Sequence, residues 1–132
     1  MTDEEAIRRV LATYCQTVDD GRFDEWEQIW TDDATFTVMG TTHTGRTALR
    51  SFIEAAQPPE RRGKHLNLNH VIDVTGDEAT AASDFAFAGR VGEGWAITQV
   101  GRYLDRLVRT SEGWRIAARE IELASSKAQD PG

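Results

Sequence analysis

The segment KHLNLNHVIDVTG, residues 64–76, predicts a β-strand with one polar face and one mostly apolar face. Because side chains alternate across a strand, the first face carries His65, Asn67, Asn69 and Val71. The opposite face carries Leu66, Leu68, His70 and Ile72. A histidine and asparagines that share a face over a helix indicate the wall of a polar pocket rather than a plain core.

An amphipathic helix is predicted upstream of this strand, from Asp3 to Asp20, because apolar residues recur there at helical spacing. Its apolar stripe consists of Ile7, Leu11, Tyr14 and Val18. Asp19 lies about 100° around the helix from Val18, on the flank of that stripe, whereas Asp20 lies about 200° around it and faces solvent. Asp19 is therefore the acid expected to pair with His65.

Two shorter helices, a strand and a glycine-bounded turn are predicted between these segments. In chain order they are the helix Phe23–Trp30, the strand Ala34–Met39, the turn Gly40–Gly45 and the helix Arg46–Ala56. Everything downstream has the pattern of long strands joined by short turns, which favours an antiparallel meander. These strands are His65–Val74, Glu78–Val91, Trp95–Val108 and Trp114–Leu123.

The predicted fold class is therefore α+β, with a strongly curved antiparallel sheet wrapped around three N-terminal helices. One domain is expected over residues 1–124. The polar segment 125–132 is expected to be a disordered tail.

Composition narrows the possible functions. The 132 residues carry a net charge of -7, which disfavours nucleic acid and anionic membrane as partners. Cys15 is the only cysteine, so no internal disulfide can form. The three histidines lack the spacing of a helical metal site, and no metal is expected. No apolar run is long enough for a signal peptide or a membrane span, so a soluble, cytoplasmic protein is expected.

Several short patterns follow one another along the chain in a distinctive order. They are Tyr14 with Asp19, FDEW at 23–26, WTDDATF at 30–36, Gly45, His65 with Asn69, GRYLDRLVRTSEGWRI at 101–116, and Arg119. In this order the chain resembles the SnoaL-like branch of the nuclear transport factor 2 superfamily, and within it the group that contains scytalone dehydratase. The resemblance implies a cystatin-like α+β roll, in which a cone of curved sheet and three helices surround a deep pocket.

The resemblance also implies that Asp19 and His65 form a dyad that removes a proton from carbon or activates a water, with Arg119 near the pocket. A neutral imidazole can take that proton, a carboxylate stabilises the imidazolium that forms, and no cofactor is needed. The predicted function is a lyase or isomerase, of the dehydratase or dehydrohalogenase kind, acting on a small hydrophobic cyclic or aromatic molecule. The expected substrate-binding residues are Tyr14, Trp30, Phe36, Phe52, Asn69 and Arg119.

Other interpretations of the same residues stay open at this point. The chain could bind a small ligand without turnover, or serve as a dimeric interaction subunit. His65 could be a structural histidine satisfied by a buried acid, and Arg119 could pair with an acid on its own strand or the next. A homodimer through the outer sheet face is expected from the apolar residues Leu66, Leu68, Ile72, Phe85, Phe87, Val100, Leu104 and Val108.

Overall fold

The computed structural model describes residues 1–124 and contains three α-helices and a six-stranded mixed sheet. The elements are α1 (Asp3–Asp20), α2 (Phe23–Gln28), β1 (Trp30–Val38), β2 (Thr41–Thr44), α3 (Arg46–Ala56), a 3-10 turn (Pro59–Arg61), β3 (Lys64–Thr75), β4 (Glu78–Val91), β5 (Gly94–Thr110) and β6 (Gly113–Leu123). The predicted α+β class, with a curved sheet and three N-terminal helices, is confirmed. The tail predicted at 125–132 lies outside the described residues.

Both ends of α1 are fixed by local interactions. The Thr2 hydroxyl accepts a hydrogen bond from the Glu5 N–H at 3.1 Å, which satisfies one free donor of the first turn. Gly21 ends the helix in the left-handed conformation, with φ at 69°, and its N–H returns to carbonyls of the last turn. These caps place Asp19 in the final turn, on the flank of the buried stripe.

The strand order in the sheet is β2-β1-β6-β5-β4-β3. The predicted antiparallel meander of β3 to β6 is confirmed, but β1 pairs with β6 in parallel, so the prediction of an antiparallel sheet is wrong for this pair. The turn predicted over Gly40–Gly45 is also wrong in part. Met39 and Gly40, both at positive φ, form a tight turn that lets β2 pair back onto β1. Trp30, predicted to end the second helix, instead begins β1.

A β-bulge interrupts β3 within the segment KHLNLNHVIDVTG. Leu68 pairs with Asp84 and Val71 pairs with Ala82, so β3 contains one residue more than β4 over this interval. Asn69 takes a positive φ of 57° at the bulge. Because one extra residue reverses the alternation, His70 faces the same side as His65, while Asn69 faces the opposite side. The predicted faces of these two side chains are therefore wrong.

The core lies between the inner face of the sheet and the three helices. Phe85 is buried there and stacks on Tyr103 with ring centroids 4.4 Å apart, and Ile72 packs against the same core. Phe87 packs on His65, on the same side of the sheet. The prediction that Ile72, Phe85 and Phe87 contribute to the outer face is therefore wrong. Leu66, Leu68 and Val100 do remain on that face, each with 44–46% of its surface exposed.

Candidate functional site

Asp19 and His65 are in direct contact, as the sequence predicts. The Asp19 carboxylate lies 2.6 Å from Nδ1 of His65, and its two oxygens also accept from the His65 backbone N–H at 3.0 and 3.2 Å. The exposed fractions of the two side chains are only 6% and 10%. The last turn of α1 and the first residues of β3 therefore hold the carboxylate and the imidazole in one fixed arrangement.

This arrangement determines which nitrogen of His65 can act as a base. An ionised carboxylate can only accept hydrogen bonds, so the Nδ1 that faces Asp19 must carry the proton. When the ring is neutral, Nε2 holds the lone pair, and it has no hydrogen-bond partner among residues 1–124. The neutral form of this imidazole therefore presents an unoccupied acceptor nitrogen, which is what a general base requires.

Aromatic rings pack against this imidazole on the inside of the protein. The Phe87 ring lies with its centroid 4.8 Å from that of His65, and the Tyr14 ring lies 6.3 Å away, perpendicular to it. Gly63 leaves room for Phe87 and for the neighbouring backbone, because a Cβ at that position would overlap the Ala88 carbonyl oxygen and lie 2.8 Å from Cζ of Phe87. The imidazole is thus confined by rings that offer it no hydrogen bond.

A surface cleft of about 400 Å³ includes His65 and Phe87, and we call it the His65 cleft. Its walls come from the end of α3, the 3-10 turn that follows, and the facing parts of β4 and β5. The walls are mainly polar. They consist of Ala56, Gln57, Glu60, Arg61, Arg62, Gly89, Arg90, Thr98 and Gln99.

None of the residues predicted to bind substrate lines the His65 cleft. Trp30 and Phe36 are fully buried and stack on each other in the core, with ring centroids 5.3 Å apart. Phe52 packs on Phe36 and on His43. The Asn69 amide lies on the outer face and donates to Asp84 at 2.9 Å. In the described chain these four side chains therefore form core or outer surface rather than walls of the cleft.

Arg119 forms a fully buried ion pair with Asp105 of the neighbouring strand. Its Nε and Nη2 donate to the two carboxylate oxygens at 2.7 and 2.9 Å, and both side chains have no exposed surface. The guanidinium carbon lies 4.3 Å from the centre of the Tyr14 ring and 3.7 Å from that of Tyr103. Among the alternatives considered from the sequence, pairing with an acid on the next strand is therefore the one observed.

Burial also sets the protonation of the two tyrosines that enclose Arg119. Loss of hydration raises the pKa of Tyr14 far above its ordinary value, although the positive charge of Arg119 works in the opposite direction. The pKa of Tyr103 is raised for the same first reason. Both phenols therefore stay protonated at neutral pH and act as neutral rings against the guanidinium.

Asn67 and His70 lie on the inner face of β3 and were not predicted as site residues. His70 Nε2 lies 3.1 Å from the Asn67 carbonyl oxygen, and the Asn67 amide donates to the Ser83 hydroxyl at 3.0 Å. Burial lowers the pKa of His70, and the charges of Arg8 and Arg119 lower it further. The bulge that brings His70 to the inner face had one signal in the sequence, Asn69, since asparagine tolerates the left-handed conformation that such a bulge requires.

Other kinds of site are not found in the part of the chain that the structure describes. Over residues 1–124, histidine, cysteine and acidic side chains do not gather in groups of three or more that could hold a metal ion. No helix in that range is long and apolar enough to cross a membrane.

The chain matches the model of the SnoaL-like domain over residues 1–120, whereas none of the curated proteins matches it. Among solved structures, an aspartate-to-asparagine variant of Rv3472, a protein of unknown function from Mycobacterium tuberculosis, is 32% identical, with a TM-score of 0.84 over 89% of this chain and 69% of the other.

Two structures from Novosphingobium aromaticivorans are also similar. One, an NTF2-like protein with a cystatin-like fold, is 27% identical, with a TM-score of 0.84 over 97% of this chain and 87% of the other. The second, provisionally named a scytalone dehydratase, is 25% identical, with a TM-score of 0.81 over 92% and 84%. The fold of this chain and its match to the family model agree. The chain therefore belongs to the SnoaL-like domain family of the nuclear transport factor 2-like proteins.

Proposed function

We propose that this protein is a cofactor-independent lyase or isomerase, in which His65 removes a proton from a carbon atom of a small cyclic or aromatic molecule. One observation carries the proposal. The Asp19 carboxylate contacts Nδ1 of His65 at 2.6 Å, so that Nε2 is left as the free base of a residue that lines a cleft. The relative provisionally named a scytalone dehydratase supports an elimination of this kind.

In the proposed step, Nε2 of His65 takes the proton and the C–H bonding pair stays with the substrate. If the neighbouring carbon carries a leaving group, that pair forms a C=C bond and the leaving group departs with its own bonding electrons. If the neighbouring carbon is instead a carbonyl carbon, the pair forms a C=C bond to it while the C=O π pair moves onto oxygen, and the imidazolium returns the proton to another carbon of the resulting enolate. In both cases Asp19 stabilises the positive charge that His65 acquires.

The pair is organised before a substrate arrives. Asp19 is anchored by the backbone N–H of His65 as well as by the ring, so the carboxylate cannot rotate away without losing two contacts. A base that is already positioned avoids the cost of being oriented during the reaction. The buried carboxylate beside the ring also favours the developing imidazolium more strongly than an exposed one would.

The test is exchange of acidic C–H protons for deuterium. With 2-tetralone in D₂O as the probe, NMR would follow the loss of its C1 proton signal in the presence of the wild type, His65→Gln and His43→Gln. We expect the wild type and His43→Gln to exchange this proton about 10²–10⁴ times faster than His65→Gln, the usual contribution of a general base. His43 is the matched control because it stacks on Phe52, away from the His65 cleft.

Equal exchange by the wild type and His65→Gln would reject His65 as the base. Saturable binding of 2-tetralone without any exchange would favour the alternative of a ligand-binding protein with the same fold.

We also propose that the protein forms a homodimer through the outer sheet face. Leu66 and Val100 flank Ala86 in register on adjacent strands, and Leu68 lies next to them, so they form one apolar area. Light scattering should give the mass of two chains at micromolar concentration, and Leu66→Glu should convert it to the mass of one chain.

A further inference from the structure

The His65 cleft carries an unusual concentration of positive charge for an acidic protein. Arg61, Arg62 and Arg90 line it, and Glu60 is its only acid, although the chain as a whole has a net charge of -7. Nine other arginines form ion pairs with acids of residues 1–124. The three in the cleft form no such pair within that range, so their charge is available to a ligand.

Neutral groups hold two of these arginines in place. Arg62 Nε donates to the Gln57 carbonyl at 3.2 Å, and its guanidinium lies 5.4 Å from the centre of the Phe23 ring. The same guanidinium rests against Gly21, where a Cβ would overlap it. Arg90 lies 5.1 Å from the centre of the Trp95 ring. A carbonyl and aromatic rings orient these groups without neutralising them.

We infer that the His65 cleft binds the carboxylate of a small organic acid. Guanidinium groups match a carboxylate in charge and in the spacing of their N–H donors. The inference rests on the proposed function in one respect: it identifies the substrate as an acid whose carboxylate lies close to the carbon that loses its proton.

Positive charge at this place also suits the proposed reaction. Removal of a proton next to a carboxylate or carbonyl group moves negative charge onto oxygen, and a preorganised cation near that oxygen stabilises the transition state. Arg119 cannot serve this purpose, because it is fully buried in the core beside Asp105. The arginines of the cleft can.

Binding is tested with phenylacetate, an aromatic carboxylate, against its neutral analogue phenylacetamide. NMR titration would follow the ring signals of His65 and the backbone signals of the cleft. We expect phenylacetate to shift them saturably and to bind at least about tenfold more tightly than phenylacetamide, a difference of the size of one charge-assisted contact. The double variant Arg61→Gln, Arg90→Gln should reduce that difference several-fold, with the remainder due to Arg62.

The matched control is Arg102→Gln with Arg106→Gln, which removes the same charge from the outer face, where both arginines pair with acids. It should leave phenylacetate binding within about twofold of the wild type, since exposed charges at a distance are screened. Exposed Arg61 and Arg90 are chosen because their replacement spares the packing of Arg62.

Phenylacetate and phenylacetamide binding with equal affinity would overturn the inference, as would a lack of phenylacetate binding, or an equal loss of binding in the control. These outcomes are separable from failure of the proposed function. Asp19→Asn should still bind phenylacetate while it loses deuterium exchange of 2-tetralone. Anion binding without exchange would reject only the proposed function, and exchange without anion binding would reject only the inference.

Discussion

Two carboxylates in this protein are paired with nitrogen groups in the interior, and the two pairs differ in their access to solvent. The cleft pair, Asp19 with His65, keeps 6% and 10% of its side-chain surface exposed. The buried pair, Asp105 with Arg119, keeps none. In the cleft pair Nε2 of His65 has no partner within residues 1–124 and its residue lines a cleft, whereas in the buried pair the unpartnered Nη1 of Arg119 is enclosed in the core. In the buried pair both carboxylate oxygens are bonded to the same guanidinium.

This difference in solvent access separates a pair suited to catalysis from a pair suited to structural support. An imidazole can gain and lose a proton near neutral pH, whereas a guanidinium stays charged in proteins. Asp105 and Arg119 also join neighbouring strands β5 and β6, beneath the helix that carries Tyr14. The buried pair is therefore suited to fixing the sheet against α1, and the cleft pair is suited to transferring a proton.

The largest effect is expected from breaking the buried pair. Arg119→Met would leave the Asp105 carboxylate without a partner in the interior, and such a change costs about 3–5 kcal/mol of unfolding free energy. Urea denaturation measures this loss. Restoring neutrality with Asp105→Leu in the same chain should recover most of it, because two apolar side chains leave no uncompensated charge.

Arg106→Met is the control for that experiment. Arg106 and Glu78 lie 3.8 Å apart with 52% and 70% of their side-chain surface exposed, so losing the pair should cost less than about 1 kcal/mol. If Arg119→Met lost no more unfolding free energy than Arg106→Met, the buried pair would not be a structural support.

A smaller effect on stability is expected at the cleft pair. Asp19→Asn replaces a carboxylate that accepts from the backbone N–H and Nδ1 of His65 with an amide that can accept at only one atom. Hydrogen bonds to charged groups contribute about 1.5–3 kcal/mol, and Asn should retain part of this, so we expect a loss of about 1–2 kcal/mol by urea denaturation.

Asp20→Asn is the control for that second variant, since Asp20 is the next residue and lies half exposed in a surface pair with Arg22. Its cost should not exceed about 0.5 kcal/mol. A loss from Asp19→Asn as large as that from Arg119→Met would show that the cleft pair is also a structural support.

Much of the cleft pair could be predicted from the sequence because it depends on local periodicity. Helix geometry places Asp19, and not Asp20, on the flank of the buried stripe, and strand alternation places His65 on the inner face. Each position follows from a few neighbouring residues. The long strands and the glycine-rich turns between them follow from the same short-range rules.

The rest depends on long-range register. A single extra residue at Asn69 reverses the faces of everything that follows in β3, so alternation alone put His70 on the wrong side. The pairing of β1 with β6 and the partner of Arg119 depend on which strands become neighbours. Tyr14 and Trp30 have side chains that suit a pocket wall or a core equally well, and packing alone decides between the two.

A third and smaller effect is expected where the cleft pair meets the end of α1. Gly21→Ala forces an alanine to adopt a φ of 69° and places its Cβ into the guanidinium of Arg62. Gly76→Ala imposes a similar backbone conformation, φ of 61°, with no atom within 4 Å of the new Cβ. Gly76→Ala is the control, and it should lose about 1 kcal/mol of unfolding free energy, measured by urea denaturation.

Gly21→Ala should lose more than this, and the excess measures the displacement of Arg62. It should also weaken phenylacetate binding, whereas Gly76→Ala should not. Equal losses of stability in the two variants would mean that Arg62 moves aside freely and is not held by its neighbours.

The smallest effect concerns His70, a histidine that lies close to the buried pair. Burial lowers its pKa below the ordinary value of 6.5, with further lowering by Arg8 and Arg119 and partial opposition from Asp105. Because the unfolded chain takes up the proton first, this histidine should reduce stability as the pH falls through about 6.5, and the reduction should stop below its pKa in the folded protein.

His70→Gln should therefore flatten the fall in unfolding free energy between about pH 7 and pH 5, measured by urea denaturation at each pH. Glutamine has an amide nitrogen that can still donate to the Asn67 carbonyl oxygen. The stability of the variant relative to the wild type at pH 8 is therefore the structural control. An unchanged or steeper fall in the variant would show that His70 gains its proton as easily in the folded protein as in the unfolded chain.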